Sequence, residues 1–362
     1  MANGVDTHWT NDMNTHANTS LGLVLATLLA GSFATAEIPR TADGKPDMSG
    51  TYNVGTSTSM LRNRIFGDNR YMTEEQADRY ARATQSFLQG RTSSDPNREA
   101  PPEGGDGSPG AAGNVGGYNV FWIPRDGTTS LGNKIPTSII YEPENGRYPP
   151  RTEESRNRMV RQYRNYRGND GTAWWLENEG PGPYDDPELR PLAERCLLGF
   201  SSTSGPPMLP ALYNNTKRIV QTADTVMILI EMNHDARIVR MNSEHVAPDV
   251  RKWMGDSIGY WEGDTLVIDT TNFSDRPGLG GATRNLHVVE RFTRTDESTL
   301  LYDFTVEDPT VWTQPWSGQY SWPATDERLY EYACHEGNYA LGNILRGARI
   351  LEADAIVAQG GE

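Results

Sequence analysis

At 362 residues the chain is long enough to bury a substantial core, in one large domain or in two ordinary ones. Its net charge of −15 argues against a nucleic-acid or anionic-membrane partner, because the sequence shows no basic surface large enough to displace phosphate counterions. A hydrophobic fraction of 36%, with 36 Gly and 23 Pro, indicates a turn-rich, β-dominated protein. The 9 Trp and 16 Tyr are typical of proteins that hold sugars or aromatic ligands.

An apolar run near the N-terminus, LGLVLATLLAGSFATA at 21–36, predicts a cleavable secretory signal. It ends in a small-residue site at Ala34–Ala36 and is too short to span a bilayer. No Lys or Arg precedes Arg40, so the usual cationic leader is missing, and a misplaced start codon or a short buried helix is the alternative. We expect a periplasmic or secreted protein with no stable membrane insertion after cleavage.

The rest of the chain divides by composition. Residues 37–94 are expected to supply a first strand and a helix, and 118–362 a β-rich main domain with a C-terminal helix; we expect the two to form one domain. Between them, 95–117 is a Pro/Gly-rich segment that predicts a flexible loop. It is not a phosphate-binding loop, because no Gly-rich turn here joins a strand to a helix.

Separate elements are predicted in the N-terminal half. Thr73 and Gln76 form a capping box that begins a helix, and Gly90 is placed to end it. Thr152 caps an Arg-rich helix. The predicted elements are a strand within 43–54, a helix at 73–88, strands at 120–123 and 137–142, and helices at 153–166 and 186–197.

From residue 217 onward, alternating segments are separated by short polar turns. Sequential hairpins make an antiparallel meander, which must roll into a barrel or pack as a sandwich. Residues 338–357 predict a C-terminal helix. We expect an α+β, β-dominated fold, preferably a lipocalin-like barrel decorated by N- and C-terminal helices. The predicted strands are 218–222, 225–232, 237–241, 258–261, 265–273, 286–294 and 299–307.

The segment LHVVERFTRTDESTLLYDFTVED at 286–308 specifies its own hairpin register. A shift by one residue would set Glu290 against Asp303 and pair like charges. With a loop at 296–298, apolar residues face apolar ones and charges face opposite charges. The predicted pairs are Phe292 with Tyr302, Val288 with Val306, Arg291 with Asp303, and His287 with Glu307.

Several long runs resemble a large family of exported bacterial proteins, and the resemblance covers nearly all of the mature chain. It implies an export route and a common fold, and it carries over no catalytic role. The runs are WEGDTLVIDTTNF at 261–273, LHVVERFTR at 286–294, EYACHEGNY at 331–339, RTADGKPDMSG at 40–50, ERC at 194–196 and EPENGR at 142–147.

Acid–base chemistry is predicted on the polar side of the hairpin at 286–308. A His bonded to a carboxylate is a poised general acid or base, and an Arg stabilises developing negative charge. The alternative is that these residues form an exposed sheet face joined by cross-strand ion pairs. Against this alternative, Val289 and Leu301 lie on the same side, and such a mixture of apolar and polar residues favours the interior of a ligand-holding barrel. The catalytic candidates are His287, Glu307, Arg291, Asp303, Asp269 and His335.

The two cysteines, Cys196 and Cys334, are expected to form a disulfide in an oxidising compartment. The rival interpretation is a metal site or reactive thiol that uses His335 and Glu336, although no CxxC spacing supports zinc. In the alternative reading of His335, it only flanks the disulfide, and Asn338 caps the last helix.

Aromatic side chains are candidate walls of a ligand cleft, or else they plug the barrel as core. The candidates are Trp261, Trp312, Trp316, Tyr320 and Trp322. A zinc site built from His234, His245 and His335 matches no ligand spacing, so we expect no metal, and no motif predicts a cofactor.

Two functions follow from these residues. The first is an exported enzyme, a cofactor-free lyase, isomerase or hydrolase, that binds a small organic or sugar-like molecule in a barrel cavity. The second is a periplasmic carrier or glycan-binding module without catalysis. The direction of the His287 face distinguishes them, because only a desolvated pocket perturbs its ionisable groups strongly. The oligomeric state is not specified by the sequence.

Overall fold

One large β-sheet organises the protein in the computed structural model, which describes residues 38–92, 127–164, 171–211, 213–358 and 360. All of these belong to one unit, Ala36–Glu362. The predicted signal at 21–36, the loop at 95–117 and the strand at 120–123 lie outside the described residues. None of the helices in the described ranges combines the length and apolarity that crossing a membrane requires.

The sheet has ten strands in the order β1-β5-β6-β7-β8-β9-β10-β11-β12-β4, and β2 and β3 form a separate ribbon. Apart from β12, its main strands were predicted from the alternation of the sequence. The bounds are β1 Gly50–Asn53, β2 Tyr71–Met72, β3 Ile135–Pro136, β4 Ile140–Glu142, β5 Thr216–Gln221, β6 Thr225–Ile230, β7 Ala236–Met241, β8 Asp256–Glu262, β9 Thr265–Thr271, β10 His287–Arg294, β11 Thr299–Glu307 and β12 Trp316–Pro323.

The sheet curls into a half-barrel and does not close. Its edges are β1 and β4, and a single bridge between Tyr52 and Ala324 links the first edge to the end of β12. The β-dominated α+β class is therefore confirmed, whereas the closed barrel is wrong. The meander is also interrupted, because β7 and β8 pair in parallel. A parallel neighbour needs a long return connection, which the loop at 242–255 supplies.

The strand β12 was not among the strands predicted from the sequence. Its residues alternate between core and outside, and Trp316, Tyr320 and Trp322 all point into the core. There the centre of the Trp322 ring lies 4.8 Å from the centre of the Tyr302 ring and 5.2 Å from the centre of the Phe292 ring. The core side of the sheet at β10–β12 is therefore filled by packed aromatic side chains.

Within the described residues three α-helices accompany the sheet: α1 Glu74–Thr92, α2 Glu153–Arg164 and α3 Tyr339–Ala358. All three confirm predicted helices, and the capping box is present, since Thr73 Oγ1 accepts from Gln76 N at 3.2 Å and Thr73 N donates to Gln76 Oε1 at 2.9 Å. The helix predicted at 186–197 is wrong. Only a short 3-10 turn forms there, Pro187–Leu189, because Pro191 has no N–H to donate to the carbonyl of Pro187 and so interrupts a helix in its second turn.

Candidate functional site

The hairpin of β10 and β11 has the register that the sequence predicts. His287 lies opposite Glu307 and Arg291 lies opposite Asp303. The neighbouring strand β9 presents Asp269 on the same face. The sheet therefore brings five of the six catalytic candidates onto one surface. We call it the outer face, meaning the side of β8–β12 that carries these five residues.

The outer face is directed away from the core. Along β10 the alternate residues Val288, Glu290 and Phe292 are fully buried, whereas the His287 side chain keeps 36% of its surface exposed and Arg291 keeps a similar share. Strand alternation then places every polar candidate outside. A position inside a ligand-holding barrel is therefore wrong for these residues, and they occupy a sheet surface that carries ion pairs, as the alternative interpretation has it.

Arg291 and Asp303 lie opposite each other, but each one bonds to a different residue. Arg291 Nη2 lies 3.1 Å from Glu262 Oε2, across β9. Asp303 Oδ2 accepts a hydrogen bond from the Tyr141 hydroxyl at 2.9 Å. Burial raises the pKa of the Asp303 carboxyl above its usual range, against the opposing effect of the Tyr141 bond. Arg291 and Asp303 are therefore opposed in register and engaged separately.

Four side chains form a continuous network at the other end of the outer face. His287 Nε2 lies 3.1 Å from Asp269 Oδ2, and Asp269 Oδ1 lies 3.0 Å from His245 Nε2. His245 Nδ1 in turn lies 3.2 Å from Asp256 Oδ2. We call these four residues the His–Asp network. It joins three strands and one loop, and it alternates carboxylate with imidazole throughout.

Asp256 anchors the network. Its side chain is 1% exposed, and it accepts hydrogen bonds from Lys252 Nζ at 2.8 Å, Arg240 Nη2 at 2.7 Å and Val246 N at 3.1 Å. Burial alone would raise the pKa of Asp256, but the bonds from Lys252, Val246 and His245 outweigh it and lower the pKa to about 2. Asp256 is therefore a permanently charged carboxylate at neutral pH.

The loop that delivers His245 is fixed against the sheet. Asn272 Nδ2 donates to Val246 O at 3.0 Å, while Val246 N donates to Asp256. Gly255 begins the return into β8 with a φ of +71°, and a Cβ there would meet Thr271 O at 2.6 Å. Only glycine fits this turn, because both the backbone angle and the space exclude a side chain.

The contacts of the network also shift pKa values. Both ring nitrogens of His245 face carboxylate oxygens. The hydrogen bond to Asp269 raises the pKa of His287, opposed by partial burial and assisted by Glu307. Burial works to raise the pKa of Asp269, and the bonds from His287 and His245 lower it below its usual range.

His287 is the member of the network that faces outward. With Nε2 bound to Asp269, its Nδ1 lies 3.9 Å from Glu307 Oε2, too far for a hydrogen bond. A ring held in one tautomer by a carboxylate, with its second nitrogen directed to a half-exposed surface, has the arrangement of a general acid or base. The network can therefore accept or release a proton at this one atom.

His245 and Asp256 were not identified as site residues from the sequence. The sequence contained a signal for Asp256. The β8–β9 hairpin sets Ile258 opposite Asp269, and Asp256, two residues before Ile258, therefore lies on the same face as Asp269. His245 carried no such signal. It was considered only for zinc, and it reaches the sheet from a loop whose path local patterns do not predict.

The aromatic candidates lie elsewhere. The four in the segment after the hairpin have almost no exposed surface, so the core alternative describes their placement and no accessible ring surface supports a ligand wall. Trp261 is half-buried, and Lys45 Nζ lies 5.7 Å from the centre of its ring. The four buried rings are Trp312, Trp316, Tyr320 and Trp322.

His335 is not joined to the network. It is exposed beside Cys334, which forms the predicted disulfide with Cys196, and the Asn338 side chain accepts from Leu341 N at 3.4 Å at the start of α3. The disulfide is thus confirmed, and so is the capping role of Asn338. Within the described ranges no three His, Cys, Asp or Glu side chains are grouped to hold a metal ion, and His234 Nε2 accepts from Tyr332 N at 2.7 Å.

No protein-family model, curated protein or solved structure matches this chain.

Proposed function

We propose that the protein is an exported acid–base enzyme that acts on a small organic or sugar-like molecule at the outer face. The observation that carries the proposal is the His287–Asp269 pair, 3.1 Å between Nε2 and Oδ2, with Nδ1 of the ring left for a ligand. The reaction class is an elimination, isomerisation or hydrolysis, each of which can begin with the removal of a proton from the substrate or from water by a base. Export is supported by the disulfide, which persists in oxidising compartments.

In this mechanism His287 Nδ1 removes a proton from the substrate or from the water that attacks it, and Asp269 stabilises the imidazolium that forms. The imidazolium then returns this proton to the isomerised product or to the leaving group. Asp269 also contacts His245, so its charge is shared between two imidazole rings. A base with a pKa close to the working pH transfers protons in both directions most efficiently. Arg291 lies on the same face and offers positive charge to an anionic intermediate.

The test compares two substitutions of the same kind. His287→Gln removes the proton-accepting nitrogen, and we expect turnover to fall by about 10²–10⁴-fold on any substrate found in a screen, with little change in melting temperature. His335→Gln is the matched control, because His335 is exposed and outside the network. Full activity in His287→Gln would rule out the proposal, and loss in His335→Gln alone would move the chemistry to the disulfide segment.

The pH profile gives a second readout. His287 acts as a base only when it is neutral, so turnover should fall as the pH drops through its raised pKa. Asp269→Asn removes the partner that raises this pKa, and the acidic limb of the profile should then move to lower pH. An unchanged limb would contradict the assignment.

A second candidate is non-catalytic ligand binding. It is favoured by a groove of about 710 Å³ elsewhere on the outer face, lined by hydroxyl groups, an amide and a Tyr ring. A carrier would bind ligand equally well before and after His287→Gln and would turn over nothing. Binding without turnover across the whole substrate screen would favour this second function.

A further inference from the structure

The groove lies at the opposite end of β11 and β12 from His287. Its floor is the outer face of the sheet, with Leu301, Gln319 and Ser321. One wall is the segment Thr128–Gly132, and a second is the hairpin loop with Asp296. Tyr71, from the β2–β3 ribbon, closes one side with 36% of its surface exposed.

The lining has the chemistry of a site for a neutral polyhydroxylated ligand. Asp296 is the one charged residue among those that line it, and no Arg, Lys or His is included. An anionic ligand would therefore meet the Asp296 carboxylate, in a protein whose net charge is −15. The nearby cations, Lys134 and Arg70, are not lining residues and lie over the Tyr71 ring, at 5.2 Å and 5.6 Å from its centre. The remaining polar groups are neutral donors and acceptors, alongside the apolar surfaces of Leu131, Leu301 and Pro323.

The walls of the groove are fixed by hydrogen bonds of their own. Thr129 Oγ1 lies 2.8 Å from Ser321 Oγ and accepts from Ser321 N at 2.9 Å, which fastens the first wall to β12. Asp296 accepts from Ser298 N at 2.8 Å and from Ser298 Oγ at 2.9 Å, which holds the hairpin loop. A preformed site costs less conformational entropy when a ligand binds.

Gln319 stands in the centre of the floor. Its backbone N–H donates to Ile139 O at 3.0 Å, and the hydrogen bonds of the described residues do not use its side-chain amide. An amide presents a donor and an acceptor side by side, so it pairs well with the vicinal hydroxyl groups of a sugar. The half-buried position of Gln319 makes such a pair worth more than at an open surface.

The distance to His287 fixes the size of the ligand. Leu301 in the groove and Glu307 opposite His287 are six residues apart on β11, which is about 20 Å along a strand. A small molecule in the groove cannot touch the His–Asp network at that distance. A chain of linked units lying along β11 reaches both.

We infer that the groove binds a neutral oligosaccharide, extended along β11 with its far end at His287. The inference rests on the proposed function for the chemistry at that end, whereas the groove itself is argued from its own lining. It names the substrate class as carbohydrate and assigns Tyr71 and Gln319 as binding residues. Neither residue takes part in proton transfer.

The experiment measures binding to a panel of neutral, uronic-acid-containing and amine-containing oligosaccharides of matched length. We expect the neutral members to bind, and Gln319→Ala and Tyr71→Ala each to weaken their binding by about tenfold. The matched controls are Gln314→Ala, in an exposed loop, and Tyr260→Ala, which is 37% exposed on β8. Circular dichroism and melting temperature verify that each variant is folded.

The outcomes separate the two proposals. Neutral glycans that bind His287→Gln as tightly as the unaltered protein, and lose affinity in Gln319→Ala, support the groove whether or not turnover is found. No binding across the panel, preference for charged glycans, or equal affinity of the groove and control variants would overturn it. If turnover falls in His287→Gln while Gln319→Ala and Tyr71→Ala change nothing, the proposed function stands and the groove fails.

Discussion

The most informative perturbation lies in the core, at the ion pair of Arg237 and Glu290. Both side chains are at least 98% buried, and the pair is bidentate. Its other polar atoms are also satisfied: Arg237 donates to Ser257 Oγ at 3.0 Å and to Thr270 Oγ1 at 2.9 Å, and Glu290 accepts from the Tyr302 hydroxyl at 2.6 Å. Such a pair recovers its desolvation cost only as a complete unit.

A double-mutant cycle measures this dependence. Glu290→Leu alone leaves a buried guanidinium without its carboxylate and should lower the free energy of unfolding by about 3–5 kcal/mol. Arg237→Met alone strands the carboxylate and should cost about as much. The double variant removes both charges, so its loss should fall below the sum of the two by about 3 kcal/mol. Urea unfolding followed by Trp fluorescence provides the three values.

The control cycle uses the exposed pair of Arg40 and Asp264, whose side chains are 42% and 53% exposed at an N–O distance of 2.6 Å. Because solvent screens this pair, Arg40→Met and Asp264→Leu should couple far more weakly than the substitutions at the buried pair. The reasoning would be refuted if the buried pair coupled no more strongly than this exposed one, since burial would then not govern the interaction.

Two further predictions concern stability. Replacing Cys196 and Cys334 by Ser removes a disulfide that closes a loop with a sequence separation of 138, and chain entropy should then lower the free energy of unfolding by about 5 kcal/mol. A variant with the same urea midpoint as the disulfide-bonded protein would contradict this prediction. Burial lowers the pKa of Lys217 from 10.5 to about 7, despite the nearby Glu231 and Asp235. Between these two pH values the unfolded state therefore binds more protons than the folded state. The free energy of unfolding should rise with pH from about 7 to 10.5, by at most about 1.4 kcal/mol per pH unit. The Lys217→Met variant should lose this rise. Equal pH slopes in both proteins would contradict the burial argument.

The register of the central hairpin could be predicted because two independent patterns agree on it. Alternation of apolar and polar residues and the pairing of opposite charges both select His287 opposite Glu307. The same patterns do not state which face meets the core. Both faces of β10 carry charges, and the buried one holds Glu290, which is paired with Arg237 from a strand three positions away in the sheet.

Long-range partners account for what could not be predicted. The alternation of aromatic residues in β12 was present in WSGQYSW, but it lies between Pro315 and Pro323 and was not used to predict a strand. The parallel pairing of β7 with β8 follows from the path of the loop at 242–255, which brings His245 to the sheet. Neither local propensity nor periodicity reports on such a path.

An acid–base residue on an open sheet surface poses a physical problem, because water competes for every hydrogen bond there. The His–Asp network meets part of it: Asp256 is almost fully buried, and it fixes His245 and through it Asp269, so the His287 ring is held in place without a surrounding pocket. What an open face cannot supply is affinity for a small substrate. A ligand that gains its binding energy in the groove about 20 Å away brings its own bulk to His287 and excludes water there. Binding energy from a remote part of a substrate is then available to position the reacting part, which a single small molecule on this surface would lack.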